Sequence, residues 1–264
     1  MLFFLQEHNA RYPDLRPRIP MFKLFKKPRT HGLGLEYRAG GEHYRSFVGP
    51  PGNYDLVAAM VFNLLTCAGL RQYHKLLDIG CGSLRIGRLL IPYLNPGNYI
   101  GIEPNRWLVE DGIMNEVGWD QISLKRPTFS YRESLQEFTD SLEIDYALAQ
   151  SIFSHCGLDL IDNWLIQVSM HLKPTGGMFA TFFIGETDYQ GKGWVYPKNV
   201  KYKIDTISAI AARNGLKFTL LDWKHPRQSW GLFCRESYDF SLIRNGVLAW
   251  NNLFDNLDQS EHLR

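Results

Sequence analysis

The chain has 264 residues, 45% of them hydrophobic, enough for a sizeable core in one α/β domain. A net charge of +2 argues against a dedicated nucleic-acid binder. The charge is uneven: residues 1–50 hold nine Lys/Arg against four Asp/Glu, about +5, which leaves about −3 for the remainder.

Residues 1–52 read as an irregular, basic N-terminal arm. Lys23, Lys26, Lys27 and Arg29 interleave with Phe22, Leu24 and Phe25. That pattern suits an acidic or membrane surface, but a solvated arm is the plainer reading. Gly49–Asn53 (GPPGN) is a turn, with Asn53 a helix N-cap. Leu56, Val57, Met60, Val61, Leu64 and Leu65 then form one helical stripe, which stops near Gly69.

From Lys75 strands and helices alternate. Strands are expected at 75–80, 98–103, 128–132, 145–150 and 177–184, the last after a turn at 173–176. Helices are expected at 84–93, 106–116, 160–172 and 202–214. Two further strands, 217–223 and 229–234, form a hairpin around KHPRQ, which makes the last strand antiparallel. Such alternation means a parallel, doubly wound sheet over about residues 53–240, followed by a tail at 241–264. Cys67, Cys81, Cys156 and Cys234 form no C-x-x-C pair, so no zinc site is expected and a reducing compartment is. Met1–Leu5 is too short for a signal-peptide core, and no apolar run reaches membrane-spanning length. The expectation is a cytoplasmic protein.

The chemistry concentrates in Leu76–Arg88, LLDIGCGSLRIGR. Open α/β sheets bind ligands beyond the carboxyl ends of their strands, where the strand order reverses. Gly80 and Gly82 let the backbone turn and approach a ligand. A helix beginning near Leu84 would aim its free N–H groups at that ligand. A dinucleotide fingerprint needs a third small residue at position 85, which is arginine. Asp78 before the loop would repel a pyrophosphate but suits the ammonium of a methionine moiety. The local physics therefore favours S-adenosylmethionine over NAD. Glu103, 25 residues after Asp78, can accept both hydroxyls of a ribose; the plainer reading is an exposed acid at a strand end.

LLDIGCGS, YIGIEPN, DYALAQS and HLKPTGGMF together resemble class I S-adenosylmethionine-dependent methyltransferases, over roughly Tyr54–Arg235. Within that family, GPPGNYDLVAAMVFNLL, QSIFSH and HPRQSW are similar to a bacterial subgroup acting on small molecules. The resemblance implies an α/β, Rossmann-like seven-stranded sheet, mostly parallel, with helices on both faces. It implies S-adenosyl-L-methionine as cofactor, held by Asp78, Gly80, Cys81, Gly82, Ser83, Glu103, Pro104 and Asn105. Glu133 would reach the adenine, with Glu137 and Asp140 as nearby alternatives, and Gln150 and Ser151 would flank the sulfonium. KPTGG departs from the usual Pro-Gly-Gly by one substitution.

His155 follows the fourth strand and is the candidate base, needed only if the acceptor is protonated; a loop-orienting role competes with it. Tyr54, Tyr189, Trp194 and Tyr196 are candidate acceptor contacts, against simple loop packing. Arg227 in the hairpin turn can meet an acidic acceptor or be merely solvated. An Asn/Asp-Pro-Pro-Tyr signature is absent after the fourth strand, which shifts weight from macromolecules to a small-molecule acceptor. The expected activity is methyl transfer to oxygen or nitrogen. Competing readings are a non-catalytic S-adenosylmethionine-binding module acting through the basic arm and, less favoured, an NAD-dependent oxidoreductase.

Overall fold

The computed structural model describes residues 32–136, 138 and 142–244. The basic cluster at 23–29, Glu137, Asp140 and most of the expected tail lie outside the described residues.

Strands β1 (Leu76–Ile79), β2 (Tyr99–Ile102), β3 (Thr128–Ser130), β4 (Ile144–Ala149), β5 (Leu172–Ile184), β6 (Lys201–Tyr202), β7 (Lys217–Leu221) and β8 (Ser229–Cys234) form one sheet. Its order is β3-β2-β1-β4-β5-β8-β7, with β6 pairing β5 off this path. Neighbours from β3 to β5 are parallel, whereas β8 is antiparallel to both β5 and β7. The expected mixed sheet is present. The added eighth strand is β6, where Tyr202 pairs with Ile184 instead of opening a helix.

Alternation along the strands divides the core between the two faces of the sheet. Leu76, Tyr99, Tyr146 and Phe179 pack with α2 (Tyr54–Cys67) and α3 (Gly87–Tyr93). Leu77, Ile100, Ala147 and Met178 pack with α6 (Leu158–His171) and α7 (Ile204–Arg213). On the first of these faces α4 (Arg106–Gly112), continued by a π turn at Ile113–Val117, and α5 (Trp119–Lys125) pack beside α3.

Three local expectations change. The turn at 173–176 is a bulge inside β5: Leu172 pairs Ile144 and Gly177 pairs Tyr146, so the intervening residues loop out of the ladder. In α2, Leu56 is exposed, and Tyr54 and Ala58 take its place on the buried stripe. The helix expected from Leu84 begins only at Gly87. Gly80, Gly82 and Leu84 all have positive φ, so the chain after β1 is a compact turn. Leu84 is fully buried there, and α4 comes against the Ser83–Leu84 backbone at Gly112, where any Cβ would collide. Core burial of Leu84 thus overrides early helix formation.

The arm expected to be irregular to residue 52 folds onto the domain in its second half. Tyr44–Phe47 is a short helix, α1, with Tyr44, Arg45 and Ser46 buried. The Arg45 guanidinium bridges Glu116 (2.6 Å) and Asp55 (3.2 Å) and lies 4.5 Å above the Tyr54 ring. Arg88 reaches the same two acids. This largely buried network ties the N-terminal segment to α2, α3 and the π turn.

Candidate functional site

A cavity of about 630 Å³ opens at the carboxyl ends of the strands, a volume suited to a small ligand. Its floor is the β1 loop. Asp78 is the one polar residue in the buried run LLDI, and Gly80, Cys81, Gly82 and Arg85 follow along the wall. Glu103, Pro104 and Asn105 enter from the tip of β2, and Glu133 from beyond β3. Gln150, Ser151 and His155 enter after β4, Trp194 and Tyr196 from the loop after β5, and His225–Gln228 from the β7–β8 hairpin. Phe47–Pro50 closes the N-terminal side.

The expected residues brought together are therefore Asp78, Gly80, Cys81, Gly82, Glu103, Pro104, Asn105, Glu133, Gln150, Ser151, His155, Trp194 and Tyr196. Ser83, Tyr54 and Tyr189 do not line the cavity. Ser83 is fully buried beneath the loop. The Tyr54 hydroxyl donates to the Ser83 carbonyl at 2.9 Å, so this tyrosine braces the loop from below. Tyr189 packs on the core beside α7.

Gly80 and Gly82 need their missing side chains for protein neighbours as well as for any ligand. A Cβ at Gly80 would strike Ile152, and one at Gly82 would come within 2.7 Å of Val48. Both residues sit in the left-handed region.

The electrostatics divide the cavity. Asp78 Oδ2 accepts a 2.7 Å hydrogen bond from the Tyr99 hydroxyl. Burial nevertheless pushes its carboxyl up to about 7, against the relief given by Tyr99 and Arg85. Glu103 accepts from the Gly82 N–H (3.1 Å) and from the backbone and side-chain nitrogens of Asn105 (both 2.8 Å). Burial raises its carboxyl also, and these donors oppose the rise. Burial holds the Cys81 thiol well above its usual range, so it is a neutral wall group.

Arg85, which in sequence only stands where a dinucleotide fingerprint needs a small residue, is a buried part of the cavity wall. Its Nη1 donates to the Val48 carbonyl at 3.1 Å, and its Nη2 donates to Gln150 Oε1. Its Nε is buried without a partner. Burial lowers its proton affinity to about 10, still charged at neutral pH. One sequence signal did mark it: a lone charge in the apolar run between Leu84 and Ile86.

Two histidines have tautomers fixed by their partners. His155 Nδ1 lies 2.7 Å from the Lys198 carbonyl, so Nδ1 carries the proton and Nε2 keeps its lone pair. Burial lowers its pKa, which keeps the ring neutral. Its neighbours are the Tyr196 and Trp194 rings, at 5.0 and 6.2 Å. His225 is the reverse case. Its Nδ1 accepts from the Arg227 and Gln228 N–H groups, which leaves the proton on Nε2.

The donor set matches the cofactor that the sequence suggests. A methionine moiety carries an ammonium and a carboxylate. Asp78 and the unpartnered Arg85 Nε offer one counter-charge for each on the same wall, and Glu103, with three of its four acceptor sites taken, keeps one for a ribose hydroxyl, so the residues fit. Among the described residues, no three His, Cys, Asp or Glu side chains cluster to hold a metal ion, and no helix is long and apolar enough to cross a membrane.

No known family profile matches the chain. Solved structures do. Magnesium protoporphyrin IX methyltransferase from Synechocystis PCC 6803, bound to S-adenosylmethionine, is 12% identical over 75% of this chain and 88% of its own, with a TM-score of 0.53. A putative O-methyltransferase from Nostoc punctiforme PCC 73102 is 15% identical over 73% of this chain and 60% of its own, with a TM-score of 0.54. DhpI in complex with S-adenosylhomocysteine is 14% identical over 76% and 93%, with a TM-score of 0.53. At such identities the likeness is one of fold: the chain has the Rossmann-like fold of class I methyltransferases.

Proposed function

We propose that the protein transfers a methyl group from S-adenosylmethionine to an oxygen or nitrogen nucleophile of a small molecule. One observation carries this reading: Asp78 and Arg85 place a carboxyl group and a guanidinium on one cavity wall, next to the glycine turn. That pairing complements an amino-acid zwitterion and repels a pyrophosphate at Asp78. Glu103, oriented by Asn105, would take a ribose hydroxyl, and Glu133 beyond β3 the adenine. Gln150 and Ser151, which line the same cavity as His155, would flank the sulfonium. The bound donor supplies a methyl carbon already activated by its sulfonium, so the protein's main task is alignment.

His155 supports catalysis rather than binding alone. Its Nε2 lone pair is the proton acceptor an acceptor hydroxyl needs, and the Lys198 carbonyl holds that tautomer. The Trp194 and Tyr196 rings would exclude water around it. Four free thiols support a reducing, cytoplasmic setting.

Calorimetry with S-adenosylmethionine, S-adenosylhomocysteine and NAD tests the donor. Binding of the first two, lost in Asp78→Ala and in Arg85→Gln, is expected. NAD binding alone would overturn the reading. Methyl transfer in a metabolite-extract screen then separates an enzyme from a binding module.

A further inference from the structure

The three carboxylates that line the cavity, Asp78, Glu103 and Glu133, all stand at or beyond the tips of β1 to β3. The half beyond β4 and β5 has none. It has Arg227, His155 and His225 instead.

The Arg227 guanidinium lies 5.8 Å from the centre of the Phe183 ring, and both line the cavity. No carboxylate among the described residues forms an ion pair with it. His225 adds a second donor. With Nδ1 held by two backbone N–H groups, its Nε2–H points at the Gln150 amide nitrogen, 3.1 Å away. Gln150 cannot turn its oxygen to meet it, because Arg85 occupies that oxygen. An N–H therefore faces an NH₂ group, two donors with no acceptor between them. Gln150 and the half-buried His225 both line the cavity, so a group bound there can supply the missing acceptor. An oxyanion beside this pair would satisfy His225 and meet Arg227 at once. Burial, then Arg85 and Arg227, lower the His225 pKa to about 4, so the ring stays a neutral N–H donor at physiological pH. Arg227 also lowers the proton affinity of His155, which places its charge within electrostatic reach of both rings. The walls here are flat and apolar: Phe183, Trp194 and Tyr196.

We propose that the methyl acceptor is a planar, hydroxyl-bearing small molecule carrying an anionic group, and that Arg227 and the His225 Nε2–H form the subsite for that anion. This rests on the methyltransferase reading above and deepens it. The hydroxyl would lie at His155 Nε2, with the ring of the acceptor against Trp194 and Tyr196.

The test compares charged and neutral probes of one shape on the S-adenosylhomocysteine-saturated protein: 4-hydroxybenzoate against 4-hydroxybenzamide, and phenyl phosphate against phenol. Tryptophan fluorescence and calorimetry read the binding. At least one acid is expected to bind about tenfold or more tightly than its neutral partner. Whichever acid shows the larger ratio identifies carboxylate or phosphate as the preferred group. Arg227→Gln should abolish the preference, and Arg227→Lys should restore part of it. Affinity for S-adenosylhomocysteine should not change in either variant, which also shows that they fold. Acids no tighter than their neutral partners, no binding by any probe, or a preference that survives Arg227→Gln would each overturn the proposal. If S-adenosylhomocysteine fails to bind the parent protein, the donor reading falls, and the same probe comparison on the protein alone still decides the anion subsite.

Discussion

Asp78 costs the protein stability, and replacing it should separate stability from donor binding. Burial lifts its carboxyl from 3.8 to about 7, while the Tyr99 hydroxyl and Arg85 hold it down only in part. The sign follows from proton linkage. Between these two values the folded protein keeps a proton that the unfolded chain has released, so stability falls as pH rises from 3.8 to about 7 and is level above. A shift of that size corresponds to a ceiling of roughly 4 kcal/mol at 1.36 kcal/mol per unit. Asp78→Asn keeps the shape, and its amide oxygen can accept the same Tyr99 hydrogen bond. The variant should therefore be more stable than the parent at pH 8, by up to that ceiling, and the advantage should disappear below about pH 4. It should also lose the partner of the donor's ammonium, weakening S-adenosylhomocysteine by about 10- to 100-fold. Urea unfolding at pH 8, 6 and 4 reads the first effect, and calorimetry the second. A variant less stable than the parent at pH 8, or one that binds S-adenosylhomocysteine as tightly, would refute the reasoning.

His155→Gln should lower kcat by about 10²- to 10⁴-fold and leave S-adenosylhomocysteine affinity intact. In the parent, activity should fall at low pH with a midpoint below 6.5, because burial lowers the His155 pKa and only the neutral ring accepts a proton. Gly80→Ala should destabilise by about 1–3 kcal/mol, from its φ of +68° and the collision with Ile152; adding Ile152→Ala should recover the steric share and leave the backbone share, as thermal unfolding would show. Tyr54→Phe should cost about 1 kcal/mol through the lost hydrogen bond to the Ser83 carbonyl and weaken the donor by loosening the loop, measured by urea unfolding and calorimetry.

The strands were legible because buried parallel strands are short apolar runs bounded by turn residues, as in LLDI and YIGI. Gly80, Gly82, Asp78 and Glu103 were legible because a sharp turn and an acid at a strand tip leave local marks. What escaped depends on contacts far apart in sequence. The delayed helix start follows from Leu84 meeting Gly112. Tyr54 looked like an acceptor contact because it opens a helix near the site. Only the folded chain shows Arg45 above its ring and Ser83 at its hydroxyl. Arg85 carries no signal of direction in one dimension, since a turn and a helix point its side chain to different sides. The β6 pairing needs β5 beside it, and two residues have no period to read.

The strand order explains why the acidic and cationic linings of the cavity are segregated. β1 lies between β2 and β4, so successive connections leave it in opposite directions, and the crevice opens there. On one side the tips carry Glu103 and, beyond β3, Glu133. On the other they carry Gln150, His155 and, past β5, the hairpin with His225 and Arg227. Asp78 and Arg85 sit at the reversal itself. On the proposed reading, a ligand whose methionine part rests on that pair and whose nucleoside follows the acids would have its sulfur near Gln150 and Ser151, facing the histidines. The antiparallel insertion of β8 between β5 and β7 completes this division. It makes β7 parallel to β5, which brings the β7–β8 turn to the same edge of the sheet as the other functional loops. The hairpin that looked in sequence like a terminal elaboration is therefore the element that carries the cationic end of the cavity.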